Sequence, residues 1–221
     1  MTAAKYDLDK VTAGLGKDFE LRDNAYKPYA CGLVVHPTID GCSQLYREFH
    51  PAPDSIAGVR LRVAPLVLDL CNKSDLKRAL ESKYSIYHAA AIGLVRGKGG
   101  LTEFTEDALH DPDLERVRAV TTAVGDKSIT EDQVHIEVVL RDGRTLTKFV
   151  EQSLGNVHRP LSNEQLTEKF VDQAVLALTR GQVEQIVDQC WAIDALKDVG
   201  DLARATIPRG AATPRVGRVT H

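Results

Sequence analysis

The sequence predicts an α+β fold: an antiparallel sheet with helices packed on it, followed by C-terminal helices whose apolar surface exceeds what the chain itself can cover. Three observations predict it. Apolar and polar residues alternate through Val59–Val63 and Val134–Leu140, as half-buried strands require. Asp142-Gly143 follows the second run and is a strong hairpin signal, because its left-handed backbone is cheap for Asp and Gly. From Leu161 onward the period is helical only.

The elements follow in order. Pro37 suits the first position of a helix, and Ile39, Cys42, Leu45, Tyr46 and Phe49 recur behind it at helical spacing. Val59, Leu61 and Val63 alternate with Arg60 and Arg62 in the first strand. A helix from about Leu76 to Arg96 ends at Gly97, and one or two short helices occupy Glu103 to Arg116. Val134, Ile136, Val138 and Leu140 form the next strand, and Leu146 to Val150 returns from the hairpin. Ser162 with Gln165 is a capping box, Leu161 and Leu166 form a hydrophobic staple, and Leu166, Phe170, Ala174 and Leu178 mark one helix face. A second helix after Gly181 carries Val183, Val187 and Trp191 beside Ile186, Cys190 and Ile193. Two helices cannot bury so broad an apolar face against each other and one sheet, so they call for a further partner.

The residues with the most chemistry precede the first long helix. Lys27, Cys31 and His36 set an ammonium, a thiol and an imidazole at a helix N-terminus. That end carries unpaired N–H donors and partial positive charge, which favours a carboxylate and keeps an imidazole neutral. The plain reading of the same residues is a core histidine beside a surface lysine. Cys31 reads either as a nucleophile, if a partner such as His36 lowers its pKa, or as an inert buried thiol. Ser85 and His88, one turn apart, either hydrogen-bond a ligand or satisfy each other and the backbone. Asp40 reads as a first-turn residue favoured by the helix dipole. Gly97-Lys98-Gly99-Gly100 lacks P-loop spacing and reads as a helix cap and turn.

Lys27-Pro28-Tyr29-Ala30-Cys31-Gly32, followed by His36-Pro37-Thr38-Ile39-Asp40, resembles the substrate-site segment of the MmgE/PrpD family, which includes 2-methylcitrate dehydratases, cis-aconitate decarboxylases and iminodisuccinate epimerases. Three further segments are similar in the same order: Ser55–Val63; Glu81–Ala91, with its Lys83, Ser85 and His88; and Gly155–Ser162 with Lys169-Phe170. The likeness covers roughly residues 10 to 196 and corresponds to the C-terminal half of a family member. It implies a lid-like α+β domain at 19–160, preceded by a linker at 1–18 from an absent all-helical domain. Helices at 161–205 would pack on that domain; beyond the likeness, the tail at 206–221, with Arg209, Arg215 and Arg218 among Pro208, Gly210, Pro214 and Gly217, reads from its composition as disordered and basic. It implies cofactor-free lyase or isomerase chemistry on a small polycarboxylate, by proton abstraction α to a carboxylate. His36, Lys27 and Cys31 are the implied catalytic residues, with Tyr29, Lys83, Ser85 and His88 in substrate binding and no metal. The implied partners are the absent helical half or a family member, and a second copy in a homodimer. The other reading is a truncated, non-catalytic α+β domain that only binds ligand or associates with a family member. The chain departs from the decarboxylase branch, which carries a histidine where Gly32 stands and an aromatic hydroxyl at Tyr87 or His88. Cys31-Gly32 is closer to the epimerase-like branch.

Composition sets the outer bounds. With 221 residues, 43% hydrophobic, 27% charged and a net charge of −3, there is apolar material for one or two ordinary cores. Lys and Arg are interleaved with Asp and Glu, which argues against a nucleic-acid partner. No apolar run reaches membrane-spanning length, and Met1–Asp7 lacks a signal-peptide core, so no membrane association and a cytoplasmic location are expected. Four scattered cysteines lack zinc or disulfide spacing, so reduced thiols, no metal and no cofactor are expected.

Overall fold

The computed structural model describes residues 7–209. Most of the expected basic tail, including Arg215 and Arg218, lies outside the described residues. A short turn, α1 (Asp9–Thr12), precedes the lysine-containing segment, and α2 (His36–Phe49) follows it. Then come β1 (Ile56–Val63), α3 (Pro65–Cys71), α4 (Ala79–Ser82), α5 (Ile86–Arg96), α6 (Glu106–Leu109) and α7 (Pro112–Ala119). Strands β2 (Thr121–Gly125), β3 (Val134–Leu140) and β4 (Thr145–Val150) follow, and α8 (Asn163–Ala174), α9 (Arg180–Trp191) and α10 (Gly200–Ala205) close the described chain.

The four strands form one sheet in the order β2-β1-β3-β4. The antiparallel expectation holds for β1 with β3 and for β3 with β4, but β2 runs parallel to β1, so the sheet is mixed. The connection from β1 to β2 carries α3 to α7, and a crossover of that length is what a parallel pair requires. Alternation sends Ile56, Val59, Leu61 and Val63 of β1, and Val134, Ile136, Val138 and Leu140 of β3, into the core. The opposite face carries the Arg60–Glu137 and Arg62–Asp126 ion pairs and a stacked His135–Phe149 pair with ring centroids 4.3 Å apart.

Helices α2 and α5 cover the apolar face and cross closely. A Cβ at Gly93 would lie 2.5 Å from Cys42 Cβ and 3.0 Å from the Ile39 carbonyl, so only glycine permits this approach. Gly41 plays the same part toward the sheet, where a Cβ would meet Ile136 Cδ1 at 2.5 Å. The helix expected from Leu76 to Arg96 is interrupted. Ser85 adopts an extended backbone and caps α5 by accepting from the His88 N–H, which separates α4 from α5. Gly97 then ends α5 in the left-handed region at φ 66°.

Ser162–Gln165 forms the expected capping box of α8. The next helix starts two residues earlier than expected, because Thr179 and Gln182 form a second capping box and Gly181 lies inside α9. Val183 and Ile186 are buried, and Gln182 Nε2 ties α9 to the Ala205 carbonyl at the end of α10, at 3.1 Å. Phe170, Val175, Trp191 and Ile193 remain exposed, and α8 buries none of its residues. No described helix is long and apolar enough to cross a membrane.

Candidate functional site

The site is built on the turn that leads into α2. Gly99 anchors it from one side, its carbonyl accepting from the Ala30 N–H at 3.0 Å. Lys83 anchors it from the other, its carbonyl accepting from the Gly32 N–H at 3.0 Å. The carbonyl of Cys31 projects between them and accepts from Lys27 Nζ at 3.3 Å. The short 3-10 turn Leu33–Val35 then delivers His36 as the first residue of α2.

His36 is 1% exposed and packs edge-on against Tyr29, ring centroids 5.2 Å apart. Burial lowers its pKa to about 4; a bond to the Cys31 backbone opposes the shift, while Lys27 and Lys169 add to it. The imidazole is therefore neutral at pH 7. Its Nε2 is enclosed and meets no hydrogen-bond partner among the described residues. The Cys31 backbone at the other side of the ring favours the tautomer protonated on Nδ1, with the unshared lone pair on the enclosed Nε2. Such an orphaned buried acceptor costs stability, the kind of cost found at functional positions.

Cys31 is 7% exposed, and burial together with the Cys71 thiol pushes its pKa up to about 12, overriding the opposing pull of Lys27 and Lys83. The structure thus favours the inert thiol over the nucleophile, because thiolate supply at neutral pH is negligible. Cys42 and Cys71 are also buried, whereas Cys190 is exposed. A thiol-reactive probe at pH 8 is expected to label Cys190 alone in the native chain, read by peptide mass spectrometry. Modification of Cys31 at a comparable rate would contradict the geometry.

The structure brings Lys27, Tyr29, Cys31, His36 and Lys83 together around one turn. Ser85 and His88 belong elsewhere: both are 0% exposed. Ser85 Oγ serves as a helix cap. His88 Nδ1 accepts from Arg118 Nη1 at 3.1 Å, and Nε2 donates to the Glu103 carbonyl at 2.8 Å, so neither nitrogen is open to a ligand. Asp40 is not in the first turn as expected but lies beyond it, 1% exposed. It pairs with Arg159 and accepts from the Leu154 N–H at 3.2 Å and from Gln44 Nε2 at 3.1 Å. This pairing straps the loop after β4 onto α2. In the same loop, Gly155 at φ 88° presses on the Tyr26–Pro28 backbone, and its carbonyl accepts from the Tyr26 N–H at 3.0 Å.

Two features escaped the sequence reading. Lys169 of α8 comes within electrostatic reach of His36; in the sequence its Lys-Phe pair carries only a resemblance, and nothing in its spacing announces the approach. A cleft of about 390 Å³ opens between α8 and the loop after α5, with Tyr29, Arg47, Lys98, Glu103, Leu161 and Lys169 among its walls. Exposed apolar residues stand on the neighbouring segments: Leu33 in the 3-10 turn, Leu66 and Leu70 on α3, which packs against that turn, and Leu80 and Tyr84 on either side of Lys83 in the sequence.

Residues 29–193, which hold the whole of this arrangement except Tyr26–Pro28, match the MmgE/PrpD C-terminal domain. The chain belongs to the MmgE/PrpD family. It is 25% identical over 214 residues to a cis-aconitate decarboxylase of Aspergillus terreus, covering 89% of this chain and 43% of that protein. Against a 2-methylcitrate dehydratase-like protein of Aspergillus oryzae it is 30% identical over 155 residues, covering 64% and 31%. With a cis-aconitate decarboxylase of Mus musculus it shares 24% identity over 194 residues, covering 83% and 39%. The chain therefore spans less than half the length of these MmgE/PrpD relatives. Among the described residues, no group of three His, Cys, Asp or Glu side chains could hold a metal ion.

Proposed function

We propose that this chain is the C-terminal portion of an MmgE/PrpD lyase or isomerase acting on a small polycarboxylate, and that it needs a helical half to complete its site. The observation that carries the reading is the neutral His36, whose unpartnered Nε2 lies buried beside the Lys27 turn, where a helical half and substrate would have to reach it. Such an imidazole is equipped to remove a proton α to a carboxylate, while Lys27 and Lys83 hold the substrate's charges. From the carbanion so formed, expulsion of a β-hydroxyl, leaving as water with a returned proton, would make a dehydratase, and reprotonation on the other face an epimerase; a decarboxylase would instead lose carbon dioxide first and take a proton from the site onto the resulting carbanion. The exposed apolar residues on the segments next to the turn support an interface at this place. One ammonium–carboxylate bond contributes about 1.5 to 3 kcal/mol and a helix N-terminus about 0.3 to 1 kcal/mol, so the chain alone should bind tricarboxylates only near 1 mM as an order of magnitude.

The enclosure of Nε2 favours a second reading for the isolated chain, a non-catalytic domain that associates with a family member. One experiment separates them. The chain alone is expected to give no turnover of 2-methylcitrate, cis-aconitate or iminodisuccinate. Adding the helical half of a family member should produce turnover, and Lys27→Ala should abolish it. Turnover by the chain alone would overturn the need for a second half. Association without any turnover would favour the non-catalytic domain.

A further inference from the structure

The segment between α5 and α6 holds a buried polar group that the proposed chemistry leaves idle. Glu103 is 1% exposed, although it is a carboxylate in a short 3-10 turn. Its Oε2 accepts from the Gly100 N–H at 2.9 Å, its Oε1 from Thr102 Oγ1 at 3.0 Å, and Arg96 and Lys98 each approach Oε1 to 3.7 Å. A charge so enclosed is tolerated only with this many donors. The backbone of the same residue is bound from the other side, because its carbonyl accepts from His88 Nε2 at 2.8 Å. His88 is held in turn by Arg118, whose Nη2 donates to the Leu109 carbonyl at 2.7 Å.

What this brace grips is the loop Gly97–Thr102. Gly99 of that loop accepts from the Ala30 N–H, and a Cβ at Gly99 would lie 3.0 Å from Tyr29 Cδ1 and 3.1 Å from Ile39 Cγ2. The loop is thus seated directly on the turn that carries Tyr29, Ala30 and Cys31, and Tyr29 is the ring packed on His36. We propose that Glu103 and His88 are positioning residues: through the Gly97–Thr102 loop they fix Ala30, and with it the Cys31 carbonyl on which Lys27 and His36 converge. Neither touches a ligand in this arrangement. The inference rests on the proposed site only for its functional consequence; the mechanical link stands without it.

The test compares Glu103→Gln, His88→Leu and His88→Gln with Asp111→Asn in the full chain. Gln at 103 keeps the shape but loses the charge that gathers four donors, and Leu at 88 removes both imidazole bonds. Gln at 88 can still donate to the Glu103 carbonyl. Asp111 binds the same Arg96, at 2.8 Å, without touching the loop, so it serves as the control for a loss that is only structural. Native-state hydrogen exchange at the Ala30 amide should accelerate by about tenfold or more in Glu103→Gln and His88→Leu, relative to global stability measured in parallel. It should stay near wild type in His88→Gln and Asp111→Asn. The His36 ring resonances should shift in the first pair and not in the second. Equal effects in Asp111→Asn, or unchanged Ala30 exchange in Glu103→Gln, would overturn the proposal. If His88→Leu fails to fold, Glu103→Gln decides alone. These readouts need no ligand, so the absence of tricarboxylate binding would count against the proposed function and leave the brace standing.

Discussion

Lowering the pH from 7 to 4 is expected to unfold most of this protein, and two imidazoles are the cause. His36 and His88 are both fully buried, and burial lowers each pKa from 6.5 to about 4. A histidine depressed in the folded state stays neutral there while the unfolded chain takes up a proton. Stability is therefore fully present above about pH 6.5 and is lost as pH falls toward 4, the unfolded chain binding more protons throughout that window. Two and a half units correspond to about 3 kcal/mol per group at most, so the pair accounts for about 6 kcal/mol, comparable with the whole stability of an ordinary domain. The carboxylates with the lowest pKa values act in a different range. Glu81 and Asp126, held near 2 by hydrogen bonds, keep their charge in the folded state through this window, and what they contribute is lost below it, as pH falls from the ordinary carboxylate range toward 2. Urea unfolding at pH 7, 5.5 and 4.5 checks the expectation, with His36→Gln flattening the profile by about half. A midpoint that stays constant down to pH 4.5 would show that the rings are solvated or charged in the folded state.

Gly155→Ala is the single substitution expected to damage both stability and site. Its φ of 88° is open to glycine and costs another residue about 1 to 3 kcal/mol. The added methyl would also collide with the Tyr26 carbonyl and come within 2.7 Å of Pro28 Cδ, neither of which is a flexible side-chain end. Overpacking of this kind costs about 1 to 3 kcal/mol, while the entropy an alanine removes from the unfolded chain returns less than about 1 kcal/mol. The sum is a loss of about 3 kcal/mol, with Lys27 displaced as the chain yields. The urea midpoint and the Tyr26 and Lys27 amide resonances read both effects. A variant as stable as the parent, with those resonances unmoved, would mean the contact is not real.

Much of the fold was legible because local chemistry and tertiary placement agree. The alternation of Val59–Val63, the Asp142-Gly143 turn, the Gly97 cap and the Ser162–Gln165 box each carry their own cause. Strand β2 was not legible, since Thr121–Gly125 is short, buries only Thr121 fully and shows no period; its partner β1 imposes its conformation. The α3 helix was missed because Leu66 and Leu70 face outward, which turns an amphipathic pattern into a plain apolar run. At the site, His36 at a helix start could be read from Pro37 alone. That Asp40 would bury itself against Arg159, and Lys169 would come near His36, depends on contacts between residues more than a hundred positions apart, which no local pattern encodes.

The strap between Asp40 and Arg159 also sets a schedule. A ribosome releases the lysine turn long before the residues that fasten it, because Arg159 follows Asp40 by 119 positions and Gly155 follows Tyr26 by even more. Until they emerge, the nascent segment around Lys27 is held by Gly99 and Lys83 but not by the loop after β4, and such distant closures are the slow step of folding. The turn that carries Lys27 is thus fastened in two stages, first by Gly99 and Lys83 and then by the loop after β4, so a chain interrupted before residue 155 would have its sheet and a turn held from two sides rather than three.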